Sequence, residues 1–293
     1  IIGVVEIFYC RIKKRRSLKM TTEKKRGLLS TPEWRLQIDH NLTSEDVNRN
    51  DLIVVNINHW DEKANGFFVT FGNNLKGFIP SDEVFLREYS EKRQKKSICF
   101  LIDKNVLTQV SSYNVDKETY ILSRKKVLLE RFSQLNVNNS VKGIVVAVDQ
   151  NNIFVDIGAG FVSRINIKNI SQYFVSSCSN IGWLPGDEVE TMICSKNEKE
   201  YLIELSRRDF YPSYEESVNN FEIGQIVRGR ILSRIEHQVE DTFPYAYYVE
   251  IIPNVAGIVN SWVEIPEGAE ISGKISNIKA KGLKIRMLGL IKK

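Results

Sequence analysis

The sequence predicts an all-β chain of three consecutive five-stranded barrels joined by short helical linkers, and three observations carry that expectation. Short runs of β-branched and aromatic residues, bounded by Gly, Asn or Asp, recur from about residue 47 to the end, as the strands of small barrels do. The runs fall into three blocks with the same order of five, and a repeated order is stronger evidence than any single run. In each block the second run alternates, so that three apolar residues share one face and an aromatic residue lies on the other.

Taken in order, residues 1–19 carry six basic and one acidic side chain, which accounts for the net charge of +5 of the whole chain. Met20 is the first methionine, and Lys13, Lys14, Arg15 and Arg16 are what a purine-rich ribosome-binding site would encode if read as codons. Residues 1–19 therefore read as a translated leader, with a genuine basic arm as the alternative. With them set aside the remainder is neutral, so overall charge makes no case for a nucleic-acid partner, although local basic patches still attract phosphate.

Residues 20–46 form a polar segment with one helix signal. Ser30, Thr31, Pro32 and Glu33 supply a hydroxyl cap, a first-turn proline and an early acid. They predict a short helix whose Trp34 packs on the first barrel.

The first barrel, residues 47–132, has predicted strands at 52–58, 66–72, 75–80, 97–107 and 119–124. The mixed-charge run Arg87 to Lys96 reads as a solvated helix face before the fourth strand, with contact to a nucleic-acid backbone as the lesser reading, and residues 125–132, with Leu128, Leu129 and Phe132, as a helical linker. The second barrel, residues 133–216, repeats the order at 141–149, 153–158, 163–167, 188–195 and 201–207, and residues 208–218 form the next linker. The third, residues 217–293, does so at 226–235, 247–252, 256–260, 270–277 and 283–288. Neither linker is a Gly/Ser tether, which predicts partly coupled barrels.

Much is excluded. Four cysteines without CxxC spacing and three scattered histidines indicate neither a metal site nor a disulfide framework, and suit a reducing compartment. No apolar run reaches the roughly 20 residues that span a bilayer. The basic cluster follows the first apolar stretch, the reverse of a secretory signal. A cytoplasmic protein without a membrane partner is expected. A Walker loop, a GxSxG elbow and a paired-carboxylate motif are all missing, so no enzyme, no cofactor and no small-molecule substrate are expected.

The chemistry is placed on the second strand of each block. Phe67, Val69 and Phe71 share a face, as do Ile153, Val155 and Ile157, and Tyr247, Val249 and Ile251. These are the predicted core faces. The opposite faces carry Phe68, Phe154 and Tyr248, each followed two residues on by a polar side chain. A solvent-facing ring suits an unpaired base, because every base presents a π-face.

Several motifs then resemble one family. Val141-Lys142-Gly143-Ile144-Val145 and Val227-Arg228-Gly229-Arg230-Ile231 stand on first strands. Gly66-Phe67-Phe68-Val69 and Gly77-Phe78-Ile79-Pro80-Ser81 stand on second and third strands. Tyr120-Ile121-Leu122-Ser123-Arg124-Lys125 and Ile203-Glu204-Leu205-Ser206-Arg207-Arg208 close their blocks. In this order they resemble the RNA-binding domain family of ribosomal protein S1, a five-stranded OB-fold barrel, over about four fifths of the chain.

The resemblance implies RNA held by aromatics on or beside strand two, a histidine ending strand three and a basic residue opening strand five. The strand-two places are Phe68, Phe154 and Tyr248. The preceding aromatic survives only as Tyr245, with Asn65 and Asn151 in the other blocks. The histidine place holds Pro80, Asn166 and Asn260, and the basic place is kept as Lys284 alone. Block three is thus the strongest expected binder. Lys76, Arg124, Arg164, Arg207, Arg228 and Arg230 are further candidate phosphate contacts.

The expected function is noncatalytic binding of single-stranded RNA, on messenger RNA or at the ribosome, by a monomer. The alternative is a protein-interaction scaffold whose barrels have largely lost RNA binding.

Overall fold

A computed structural model describes residues 22–87, 90–236 and 243–291. The leader expected at residues 1–19 lies outside them, as do residues 88 and 89 of the charged run. The chain divides into two compact units. One comprises the chain up to Gln134 with Gly158–Phe161, and the other Leu135–Ile157 with Val162 onward.

The first unit holds a closed barrel of β1 (Leu52–Asp61), β2 (Gly66–Phe71), β3 (Leu75–Pro80), β4 (Asn105–Asn114) and β5 (Thr119–Ser123), in the order β1-β2-β3-β5-β4. The second unit holds two more. One is built from β6 (Ser140–Val148), β7 (Asn152–Asp156), β8 (Val162–Asn166), β9 (Glu188–Asn197) and β10 (Leu202–Ser206). The other is built from β11 (Ile226–Arg234), β12 (Tyr245–Ile252), β13 (Val255–Ser261), β14 (Glu270–Lys279) and β15 (Gly282–Leu290). All three share one strand order, antiparallel throughout except for a parallel pairing of third and fifth strands. That is the closed OB-fold barrel.

Each barrel closes because its first strand pairs with both the second and the fourth. The register slips once, between Ile57 and His59, Val145 and Ala147, and Ile231 and Ser233. Such a bulge bends the strand so that one element can serve two neighbours. Glycine makes the bend compact in the second and third barrels. A Cβ on Gly143 would stand 2.5 Å from Val155 Cγ1, and one on Gly229 would stand 2.6 Å from Val249 Cγ1.

The second-strand alternation holds for the core residues and the rings, but the polar residues expected beside two of those rings, Asp156 and Glu250, are buried at 3% and 9%. Phe67, Val69, Phe71, Ile153, Val155, Ile157, Tyr247 and Val249 are buried, while Phe68, Phe154 and Tyr248 are half-exposed on the outer faces. The linker after β5 is a helix, Arg124–Gln134, burying Val127, Leu128 and Phe132. The next linker has a single helical turn, Tyr214–Ser217, closed by a capping box between Ser213 and Glu216.

Three expectations need correction. Trp34 is 62% exposed and does not cover the first barrel. It stands on a short 3-10 turn, Glu33–Arg35, whose inward-facing residue is Glu33. An unexpected helix, Thr22–Ser30, precedes it and buries Leu29. The fourth strand of the first barrel begins at Asn105, because Glu91–Leu101 is helical. Ile98, Leu101 and Ile102 recur at helical spacing and pack on that barrel's core.

Candidate nucleic-acid interface

Register aligns the three outward rings. Phe68 is the cross-strand partner of His59 and Phe78, Phe154 of Ala147 and Arg164, and Tyr248 of Ser233 and Ile258. The fifth strand extends these rows with Ile121, Glu204 and Lys284. Pro80, Asn166 and Asn260 also occupy one place, opposite Gly66, Asn152 and Ala246.

The rows differ in chemistry. In the first barrel His59 stacks on Phe68 with ring centres 5.2 Å apart and planes 20° from parallel, and Phe78 lies 5.2 Å away on the other side. Lys76 is exposed on the adjoining strand. The partners of Phe68 escaped sequence reading because only register brings residues of three strands into one stripe. In the second barrel Phe154 is followed by Arg164, which is ion-paired with Glu204 on the neighbouring strand. Asn166 caps the turn after β8 by accepting from the Lys168 backbone N–H at 3.2 Å.

In the third barrel the row opens into a cleft of about 600 Å³, within the size range of small-ligand sites. Tyr248, Ile258, Asn260 and Lys284 line it, with Lys279 from the end of β14 and Lys281 from the turn that follows. Three residues expected at the site are thereby brought together. The cleft has a further wall, Gln172–Phe174, contributed by the connection between β8 and β9. The Tyr173 and Tyr248 ring centres lie 6.4 Å apart with planes at 42°. Burial pushes the Tyr173 hydroxyl from its ordinary value of 10 up to about 12.

Tyr245 is placed differently. It shares the side of Tyr247, with ring centres 6.5 Å apart, and faces the Arg234 guanidinium at 4.9 Å. It is half-buried at the end of the barrel and does not line the cleft with Tyr248.

The candidate cations divide sharply. Arg124 and Arg207 are each only 5% exposed, and the structure overturns their expected place on the outer face. Arg124 bonds to Glu33 at 3.1 Å and to the Val84 carbonyl at 3.4 Å. Arg207 holds both carboxylate oxygens of Glu250, at 3.0 and 2.8 Å, and the Ile170 carbonyl at 3.2 Å. Both follow a strand's last serine, where the chain leaves the sheet and alternation no longer sets direction. The closing Ser-Arg motif therefore braces the turn after the third strand. Arg230 is ion-paired with Glu270 and donates to the Gly268 carbonyl at 3.0 Å. Arg228, Lys279 and Lys281 are exposed, and Lys284 is half-buried.

Closed barrels in one repeated topology, with an outward ring at the same register position in each, define a tandem array of OB-fold barrels. The middle barrel is similar in sequence to one family of that fold: residues 134–208 match the family model "S1 RNA binding domain". Small ribosomal subunit protein bS1 of Leuconostoc lactis is 26% identical over 227 residues, covering 72% of this chain and 49% of that protein. The bS1 protein of Staphylococcus saprophyticus is 24% identical over 277 residues, covering 88% and 64%. The chain spans about half the length of the curated relatives it matches. A solved multidomain protein with nucleic acid binding domains from Streptococcus pneumoniae aligns over 83% of this chain and 73% of its own, at 13% identity and a TM-score of 0.28.

Proposed function

We propose that the chain is a noncatalytic, cytoplasmic RNA-binding protein that takes up single-stranded RNA on the outer faces of its barrels, in a ribosome-associated role and as a monomer. The observation that carries this reading is the third-barrel cleft, where the Tyr248 ring, the Asn260 amide and three lysines converge on a space of nucleotide size. A ring offers stacking, an amide reads a base edge, and lysines meet phosphate. The match of residues 134–208 to an RNA-binding domain and the likeness to bS1 proteins support it. Lys76 and Phe68 on the first barrel, and Arg228 on the third, are secondary contacts. For the second barrel the scaffold alternative has its own support, because Arg164 beside Phe154 is already neutralised by Glu204.

The test is fluorescence anisotropy of the full chain with labelled oligouridine. Binding that weakens steeply with salt is expected. Tyr248→Ala should weaken it by at least about fivefold, since stacking contributes roughly 1–3 kcal/mol per base. Salt-insensitive or absent binding sinks the proposal.

A further inference from the structure

We infer that the third barrel's site is composite: Tyr173, from the second barrel, forms its opposing wall, and Tyr173 and Tyr248 together hold one unpaired base of an RNA strand whose phosphates lie against Lys279 and Lys281. The inference rests on the RNA-binding reading above and adds a contact residue to it.

The outer row of the third barrel is short of rings. In the first barrel Phe68 has ring partners on both neighbouring strands, His59 and Phe78. In the third, the equivalent neighbours of Tyr248 are Ser233 and Ile258. The second ring comes from another barrel, since Tyr173 reaches the cleft and its centre stands 6.4 Å from that of Tyr248. Its edge lies over Gly282, where a Cβ would stand 3.9 Å from Tyr173 Cε1. That is ordinary van der Waals contact, and it is the positive φ of 148° at position 282 that suits glycine.

The wall is held in place before any ligand arrives. Ser233 Oγ donates to the Phe174 carbonyl at 3.1 Å, and Asn180 Nδ2 donates to the Leu232 carbonyl at 2.8 Å. Tyr173 N–H donates to Ser171 Oγ at 3.2 Å. Beneath them the buried Arg207–Glu250 pair joins the same two barrels. A wall already ordered loses little entropy on binding. Two rings, an amide and exposed lysines fit a polyanion that carries flat faces, which is single-stranded nucleic acid rather than a peptide.

The experiment uses the full chain and an oligouridine carrying one 4-thiouridine. Ultraviolet cross-linking with peptide mapping should place cross-links in the Gln172–Phe174 segment and at Tyr248. By anisotropy, Tyr173→Leu should weaken binding about tenfold, as removal of one stacking partner does. Tyr173→Phe, which keeps the ring, should bind within about twofold of wild type on the same argument. Lys281→Glu, at an exposed position where misfolding is no concern, should also weaken it. Should Tyr173→Leu and Lys281→Glu bind normally while Tyr248→Leu does not, the composite site is wrong and the RNA-binding reading stands. A wild-type chain that neither binds nor cross-links overturns both and leaves a protein partner for this cleft.

Discussion

Arg207 and Glu250 bury opposite charges at 5% and 9% exposure, and burial of that kind is costly unless both partners are present. Their two-pronged contact, at 2.8 and 3.0 Å, joins the end of β10 to β12. Arg207→Met strands a carboxylate away from water and should cost roughly 3–5 kcal/mol in urea unfolding. The double variant Arg207→Met with Glu250→Leu should recover much of that loss, because no charge is left unpaired. Equal losses in the two variants would mean that the pair's value lies in shape and not in charge. Arg124 with Glu33 repeats the device in the first unit, where the Val84 carbonyl takes the place of that of Ile170. These arginines were legible as a motif but not as a role. A strand pattern tells which face a side chain takes only while the strand lasts, and both residues sit just past its end.

At the level of the strand, the barrels repeat geometry more faithfully than chemistry. The bulge in the first strand, the parallel third and fifth strands and the row through the outward ring recur three times, while the row itself passes from rings to an ion pair to a lysine cleft. Backbone requirements explain the constancy. Gly229 faces Val249 Cγ1 at 2.6 Å and the Glu250 carbonyl at 2.8 Å from where its Cβ would be. Gly229→Ala should therefore cost about 1–3 kcal/mol by overpacking, read as a lowered melting temperature. Gly289→Ala, on β15 with nothing within 4 Å of the added Cβ, is the control and should change stability by less than about 1 kcal/mol. A melting temperature lowered equally by both would point to strand entropy in place of crowding. The strands were readable because alternation and bounding turn residues are local signals. Only the last turn and a half of the helix Glu91–Leu101, residues 97–101, reads in sequence as the start of the fourth strand, because its apolar residues run on toward β4 and a short apolar run fits either period.

Across the whole molecule, charge is informative by its distribution and not by its sum. Residues 20–293 are neutral overall, several arginines are spent on carboxylates, and cation density at the proposed site comes from Lys279, Lys281 and Lys284. About three neutralised phosphates on a single strand imply a log–log salt slope near −2. Lys281→Ala should flatten that slope by about 0.7, measured by anisotropy over a salt series. An unchanged slope would move the phosphate path elsewhere. No helix among the described residues is long and apolar enough to cross a membrane.

Pattern along the chain determined the number of five-stranded blocks, the core face of each second strand and the three outward rings, because these follow from a period of two repeated in blocks, while the pairing of the strands within each barrel was implied only by the family resemblance. The tertiary structure alone decided which cations remain exposed and which rings stand together. Tyr173 lies in a connection with no periodic signature, and its nearness to Tyr248 exists only once two barrels have docked through Arg207, Asn180 and Ser233. Local periodicity records how a segment buries its own apolar face, whereas a cleft between barrels depends on contacts between residues distant in sequence, which no local pattern encodes.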